Sequence, residues 1–255
     1  MGNIFISGGA QGIGAAVAGR FLREGWTVGV YDISVDGPDI SEEQGGTMIS
    51  GHLDVTDPDS WDAALTGFTA HTGGRLDVLD NNAGIIADGH LAGMDPGHIA
   101  AQINVNCLGV TLGARAAHPY LAATPRSHLV NMASASAIYG QPDISVYSAT
   151  KFYVAGLTEA LNLEWHDDGI RVVDLWPLWA KTSLADVDAG SVRRLGVNIT
   201  PEAVADILWD AVHPTNRLTR AKVHYDVSTT DRIMHTAREL TPHWMGKIVT
   251  RLVAG

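Results

Sequence analysis

Short apolar runs recur along the chain, at 3–7, 27–31, 47–54, 76–81, 128–132, 171–176 and 222–226. Most are too uniformly apolar to alternate, which predicts strands buried on both faces. Longer stretches with helical periodicity lie between them, and three announce their starts alike. Asp57-Pro58, Asp95-Pro96 and Thr200-Pro201 each set a capping side chain before a proline at the first helical position. Strands alternating with helices predict an α/β fold, a parallel sheet with helices on both faces. No internal repeat, low-complexity tract or linker interrupts the pattern, so one domain over 1–255 is expected. The loosest stretch, 182–198, mixes Asp, Gly and Ser with Arg193-Arg194. It follows a strand's carboxyl end, where open α/β sheets bind ligands, and reads as a mobile substrate flap. The tail, about 230–253, places Ile233, Met234, Ala237 and Leu240, then Trp244, Ile248 and Leu252, at helical spacing. Arg238, Lys247 and Arg251 stand on its other faces. A helix packed on the core or a neighbouring subunit, a lid, and a peripheral membrane contact all fit this pattern.

Composition narrows the function classes. The 255 residues carry 17 basic and 28 acidic side chains, a net charge of −11. Nucleic-acid binding is disfavoured, because it needs a basic footprint. A chain this long buries roughly three quarters of its unfolded surface, so it needs no covalent staple. The single cysteine, Cys107, cannot form an intramolecular disulfide. No apolar run approaches the roughly 20 residues of a membrane span. Only Ile4-Phe5-Ile6 precedes a glycine cluster at the N-terminus, unlike a signal peptide. A soluble, cytoplasmic, mildly acidic protein is expected. The 11 histidines show no HExxH or comparable spacing, so no metal is expected.

Candidate chemistry begins at Ser7-Gly8-Gly9-Ala10-Gln11-Gly12-Ile13-Gly14, between the first strand and a helix. Gly8, Gly12 and Gly14 are spaced GxxxGxG, which allows a tight turn and close approach of the backbone to a diphosphate. The following helix offers free N–H groups and a positive dipole end to the phosphates. A ligand-free strand–helix turn is the bland alternative. Asp32 ends the second strand, where a carboxylate can accept hydrogen bonds from an adenosine ribose. A 2′-phosphate there would meet like charge. Ile33 and Ser34 supply no cation, and Gln11 rather than Arg stands in the loop. NAD(H) is therefore expected over NADP(H), with a simple turn cap as the other reading of Asp32.

Tyr147 and Lys151 are four apart, which puts them on one face of a helix. A free tyrosine, with a pKa of about 10, is too weakly acidic to serve as a base at neutral pH. A nearby ammonium and an oxidised nicotinamide would both favour the phenolate. Ser134 follows the 128–132 strand, where its hydroxyl can hold a substrate oxygen while Tyr147 moves the proton. Ser136 competes for that role. Asn106 lies in the helix that begins at Asp95, where Asn is a poor mid-helix residue. It either holds a water or satisfies a backbone carbonyl.

With these residues in view, the chain resembles the short-chain dehydrogenase/reductase family in its conventional single-domain branch. The likeness rests on the Gly8–Gly14 loop, Asp54-Val55, Asn81-Asn82-Ala83-Gly84, Asn106, Ser134, Tyr147-Ser-Ala-Thr-Lys151 and Pro177 through Thr182. These follow the family's order over most of the chain. The resemblance implies a Rossmann-type doubly wound sheet of about seven strands in a three-layer sandwich. It implies that Asn106, Ser134, Tyr147 and Lys151 form a proton-transfer tetrad, with a relay through the ribose hydroxyl, Lys151 and a water held by Asn106. The implied cofactor contacts are Gly8, Gln11, Gly12, Ile13 and Gly14 at the diphosphate, and Asp32 and Ile33 at the ribose. Asp54 and Val55 would meet the adenine, and Asn81, Ala83 and Gly84 the adenosine side. Tyr147, Lys151, Pro177, Ala180 and Thr182 would lie toward the nicotinamide. A homotetramer, less often a dimer, is implied, with the Asn106 and Tyr147 helices at one interface. Two residues depart from the family pattern. Leu178 replaces a glycine after Pro177, altering backbone freedom there. Asp80 stands where an apolar residue is usual, and a carboxylate in a buried strand needs a partner.

The expected activity is NAD-dependent interconversion of a secondary alcohol and a ketone. Ser136, Tyr139, Gln141, Trp176, Trp179, Leu184 and Val187 are the candidate pocket wall. Most are apolar or aromatic, and no arginine stands in those segments, which favours a bulky lipophilic substrate: cyclic, aryl, terpenoid or steroid-like. The aromatics read equally as ordinary core, and Arg193 and Arg194 keep an anionic substrate in play. The alternatives are an NAD(H)-binding sensor without activity, an acyl-thioester ketoreductase, and epimerisation or dehydration on the same fold.

Overall fold

The computed structural model describes residues 2–34 and 45–240. Among them seven strands form one wholly parallel sheet: β1 (Asn3–Ser7), β2 (Thr27–Asp32), β3 (Thr47–His52), β4 (Val78–Asn81), β5 (His128–Met132), β6 (Arg171–Trp176) and β7 (His224–Asp226), in the order β3-β2-β1-β4-β5-β6-β7. The order reverses between β1 and β4, which opens the crevice of a doubly wound sheet at that point. The fold expected from sequence is the fold found.

Two helical layers cover the sheet. On one side α1 (Gly12–Arg23) and α7 (Pro201–Val212) bury Ile4, Ile6, Val28, Val130 and Val173. On the other, α2 (Pro58–His71), α4 (Val110–Ala122) and α5 (Ser145–Glu164) bury Phe5, Leu79, Leu129 and Val172. Consecutive strand residues divide between the two cores, as a double-sided sheet requires. The three proline-led starts cap as expected. Asp57 accepts from the Asp59 N–H, Asp95 from Gly97 at the head of α3 (Pro96–Ile103), and Thr200 from Ala203. No described helix is long and apolar enough to cross a membrane.

The differences from the sequence reading are local. β3 stops at His52 rather than 54, because Asp54 turns the chain by accepting from both the N–H and the hydroxyl of Thr56, at 2.9 and 2.7 Å. The helix expected through Asn106 is interrupted between α3 and α4 by a π-helical turn, Asn104–Gly109, the kind of insertion that often marks functional sites. The 182–198 segment carries a short helix, α6 (Gly190–Leu195), and is tied to the body. The Asp188 N–H donates to Asp88 at 2.7 Å and the Gly190 N–H to Asp143 at 3.2 Å; Arg193 pairs with Asp143 and with Asp188. After α8 (Arg217–Ala221) and β7, α9 (Thr229–Leu240) turns Met234 onto the core beside Trp176, while Ile233 and Leu240 stay exposed. Trp244, Ile248 and Leu252 lie outside the described residues.

Asp80 lacks the partner its burial calls for. It sits in β4 between Ile6 of β1 and Val130 of β5. Both carboxyl oxygens are buried without a hydrogen bond. Desolvation pushes its pKa well above the usual aspartate value, so the acid is driven toward its neutral form.

Candidate active site

A cavity of ≈ 340 Å³ opens at the carboxyl ends of β1, β2, β4, β5 and β6, the size of a small-molecule site. Its floor is the glycine loop. Gly8 has φ +65°, and a Cβ there would lie 2.7 Å from the Ala83 Cα. Gly14 faces inward: its Cβ would stand 2.3 Å from the Gly8 carbonyl oxygen, so glycine lets α1 close onto the loop. Gln11 provides no side-chain cap to α1, which leaves the helix's first N–H groups open toward an anion. Gly12, Ile13 and Thr182 line the wall beside them.

Asp32 reaches the cavity from the end of β2. One carboxylate oxygen accepts the Ala10 N–H at 3.1 Å and the other accepts the Ser34 N–H at 3.1 Å. The residue thus caps the turn, one of its two sequence readings, and also ties that turn to the glycine loop. Asp54, Val55, Ala83 and Gly84 line the same end. The Thr56 hydrogen bonds hold the Asp54 carboxyl below its usual pKa. A glycine cradle, an uncapped helix start and a carboxylate at the next strand end together fit a dinucleotide.

Asn81 is a correction. Its side chain turns into the core, where it donates to the Val110 carbonyl at 3.1 Å and to Asn131 Oδ1 at 3.0 Å. Asn82 is the residue that reaches the cavity, donating to the Ser7 and Gly8 carbonyls at 3.1 and 2.8 Å. Adjacent residues at a strand end point to opposite faces, and that alternation is the signal that separates them.

Ser134, Tyr147 and Lys151 meet on the opposite wall. Ser134 leaves β5 and its hydroxyl accepts the Ser136 N–H at 3.1 Å. Tyr147 and Lys151 stand one turn apart on α5, with Nζ 5.5 Å from the phenol ring centroid. Nζ donates to the Met132 carbonyl at 2.7 Å. Burial pushes the Tyr147 phenol up to about 12, with a hydrogen bond from Ser134 working in the opposite direction. Burial lowers Lys151 to about 8. In the protein alone, desolvation therefore outweighs that hydrogen bond, and the phenol is neutral. Asn106 does not line the cavity. Its amide accepts from the Ile85 N–H at 2.9 Å and donates to the Ile85 carbonyl at 2.8 Å and to Thr150 at 3.1 Å. The side chain is spent on the Ile85 backbone and the Thr150 hydroxyl rather than on the cavity.

The substrate-wall candidates divide. Ser136, Gln141, Trp179 and Leu184 line the cavity, together with Pro177, Ala180 and Leu178. Tyr139 and Trp176 do not. Tyr139 is buried with Ile138 and Val154, and Trp176 stacks on His235 at 4.5 Å. These rings fill the core under α9, because β6 turns Trp176 away from the crevice. Val187 lies behind the wall, on the cluster of Ile144, Tyr147 and Ala189. Leu178 has no positive φ, so the backbone there needs no glycine. Ile33, expected at the ribose, lines the rim and is 67% exposed.

Comparison with known proteins places the chain among relatives. A family model described as short chain dehydrogenase matches residues 2–189. The 3-alpha-(or 20-beta)-hydroxysteroid dehydrogenase of Mycobacterium tuberculosis is 37% identical over 183 residues, 71% of this chain and 70% of that protein. The trans-4-hydroxycyclohexanecarboxylate dehydrogenase of Sinomonas cyclohexanicum is 33% identical over 201 residues, 75% of this chain and 76% of that protein. Among solved structures, the 3-ketoacyl-(acyl-carrier-protein) reductase of Brucella melitensis complexed with NADH superposes with a TM-score of 0.78. It is 26% identical, over 89% of this chain and 96% of that one.

Proposed function

The chain belongs to the short-chain dehydrogenase family, and from that premise we propose that this oxidoreductase interconverts a bulky cyclic or otherwise lipophilic secondary alcohol and its ketone, with NAD(H) as cofactor. The observation that carries the reading is the convergence of Ser134, Tyr147 and Lys151 on the cavity wall facing the glycine loop. Two relatives that act on ring alcohols by name, and a similar structure holding NADH, support it. Gly8, Gly12, Ile13 and Asp32 would hold the dinucleotide, Asp32 selecting a free 2′-hydroxyl. When bound, an oxidised nicotinamide supplies the hydride acceptor and a positive charge near the phenol.

The chain's own residues do the rest. In oxidation, Ser134 holds the substrate oxygen and the Tyr147 phenolate, whose own proton has first left toward solvent, takes the alcohol proton. In reduction the neutral Tyr147 phenol, already the stable form, donates that proton. Lys151 sets the electrostatics of the phenol and carries a proton of its own. Asn106 is a positioning residue that fixes Ile85 and, through Thr150, the α5 turn bearing Lys151. One domain carries both sites in this reading. Self-association is part of it: Ile103, Leu108, Phe152, Tyr153 and Leu163 are exposed on or beside α3, the π turn and α5, an apolar surface that a second copy would cover.

A panel of secondary alcohols, from small linear to large cyclic, run with NAD+ and NADP+ in parallel tests the reading. Cyclic substrates with NAD+ are expected to give the highest kcat/KM; preference for small linear alcohols overturns the substrate class. The pH profile adds a second check. With Lys151 near 8, ketone reduction is expected to be level below about pH 8 and to fall above it as the ammonium discharges. Alcohol oxidation, which releases a proton, rises over the same range. Lys151→Arg keeps the charge and should move the alkaline limb of reduction upward.

A further inference from the structure

Beside the Ser134 station lies a second polar pair for which the proton transfer just described has no use. Ser136 is buried in the turn after Ser134, and Gln141 is buried in the loop before α5; both line the cavity. The Gln141 amide nitrogen donates to the Ser136 hydroxyl oxygen at 3.3 Å. Gln141 Oε1 is buried with no partner. The backbone holds this pair in register with the reacting groups. The Gln141 N–H donates to the hydroxyl of Ser148, the residue after Tyr147, at 3.2 Å, and the Ser136 N–H donates to Ser134.

The valences left over define the group that fits. Ser136 has accepted one hydrogen bond and keeps its O–H to donate, while Gln141 keeps a carbonyl oxygen to accept. Reversing the amide changes nothing in the sum. Ser136 would then donate to Oε1, leaving a serine lone pair and an amide N–H. Either way the pair presents one donor and one acceptor together. A carboxylate, ketone or ether can only accept, and would leave the acceptor unmet. An ammonium can only donate. A hydroxyl satisfies both at once. An unsatisfied buried acceptor is costly, so the pair discriminates sharply between a substrate with that hydroxyl and one without it.

We propose that Ser136 and Gln141 form a specificity site for a second hydroxyl on the substrate, next to the reacting carbon: the enzyme takes a vicinal diol and its α-hydroxyketone in preference to the simple alcohol and ketone. The inference rests on the alcohol–ketone reading above and narrows its substrate class. It accommodates a ring, with Trp179, Leu184 and Leu178 on the apolar wall and the two oxygens turned toward the serines.

The test compares cyclohexanol with cis- and trans-1,2-cyclohexanediol as substrates with NAD+. Wild type is expected to favour one of the diols by tenfold or more in kcat/KM. Gln141→Met keeps the length of the side chain and removes its hydrogen bonds, and it is expected to bring the diol/alcohol ratio to within threefold of unity. Ser136→Ala, the smaller change, should do the same from the other partner. NADH binding by fluorescence shows that each variant is folded. Turnover of cyclohexanol with no diol preference overturns the inference and leaves the alcohol–ketone reading standing; so does a diol preference that survives in both variants. No turnover of any alcohol or ketone in the panel overturns both.

Discussion

Replacing Tyr147 with Phe is expected to lower kcat by about 10³-fold in both directions while NADH still binds. The phenol oxygen is the only group removed, and general acid–base catalysis by a positioned side chain contributes about 10²–10⁴-fold. The residue is buried, and its ring packs with Ile144 and Ala189 beneath the 182–198 segment, so the isosteric ring preserves the fold. Stopped turnover with an unchanged NADH fluorescence titration is the expected pair of results. An enzyme that turns over normally without the phenol would need a different acid, and one with no activity in wild type would be a binding protein on this fold.

Cofactor choice is expected to respond to Asp32 almost as strongly. Asp32→Ser should lower kcat/KM for NAD+ by about 10- to 100-fold, because hydrogen bonds to a charged group are worth about 1.5–3 kcal/mol each. It should raise kcat/KM for NADP+, since the like charge facing a 2′-phosphate is gone. The ratio of the two constants is the quantity to measure. The serine can still accept one of the two backbone N–H groups that Asp32 now holds, from Ala10 and Ser34, so the loop keeps part of its support. A wild type that already prefers NADP+ would refute the assignment of Asp32 before any variant is made.

The strands, the helix starts and the glycine loop are legible because each rests on local chemistry: apolar runs, an Asp or Thr before proline, glycine at a strand–helix junction. Legibility stopped where side-chain direction depends on geometry finer than a run of letters. Asn81 and Asn82 are identical in type and adjacent, yet the pleat sends one to Asn131 in the core and the other to the glycine loop. Trp176 and Trp179 flank the same turn, and only Trp179 reaches the cavity, where its ring nitrogen also donates to Ser191 at 3.2 Å. The π turn at Asn106 has no spacing signal of its own. Nor does the balance at Tyr147, where spacing to Lys151 suggests a lowered pKa while the depth of the site, a tertiary property, raises it. The anchoring of the 182–198 segment is equally non-local, since Asp88 and Asp143 come from two separate loops.

Asp80 also reaches beyond its own site, into the pH dependence of folding. Its carboxyl is held well above the ordinary aspartate pKa in the native state, so in the pH range between those two values the folded chain binds a proton that the unfolded chain has released. Stability then falls as pH rises through that range, opposite in sign to the usual salt-bridged carboxylate, and the full penalty is present once pH exceeds the native value. Raising the pH through that window therefore weakens the β1–β4–β5 core against which the glycine loop is built. One buried proton thus ties the endurance of the fold to pH, at a position apart from the reacting groups.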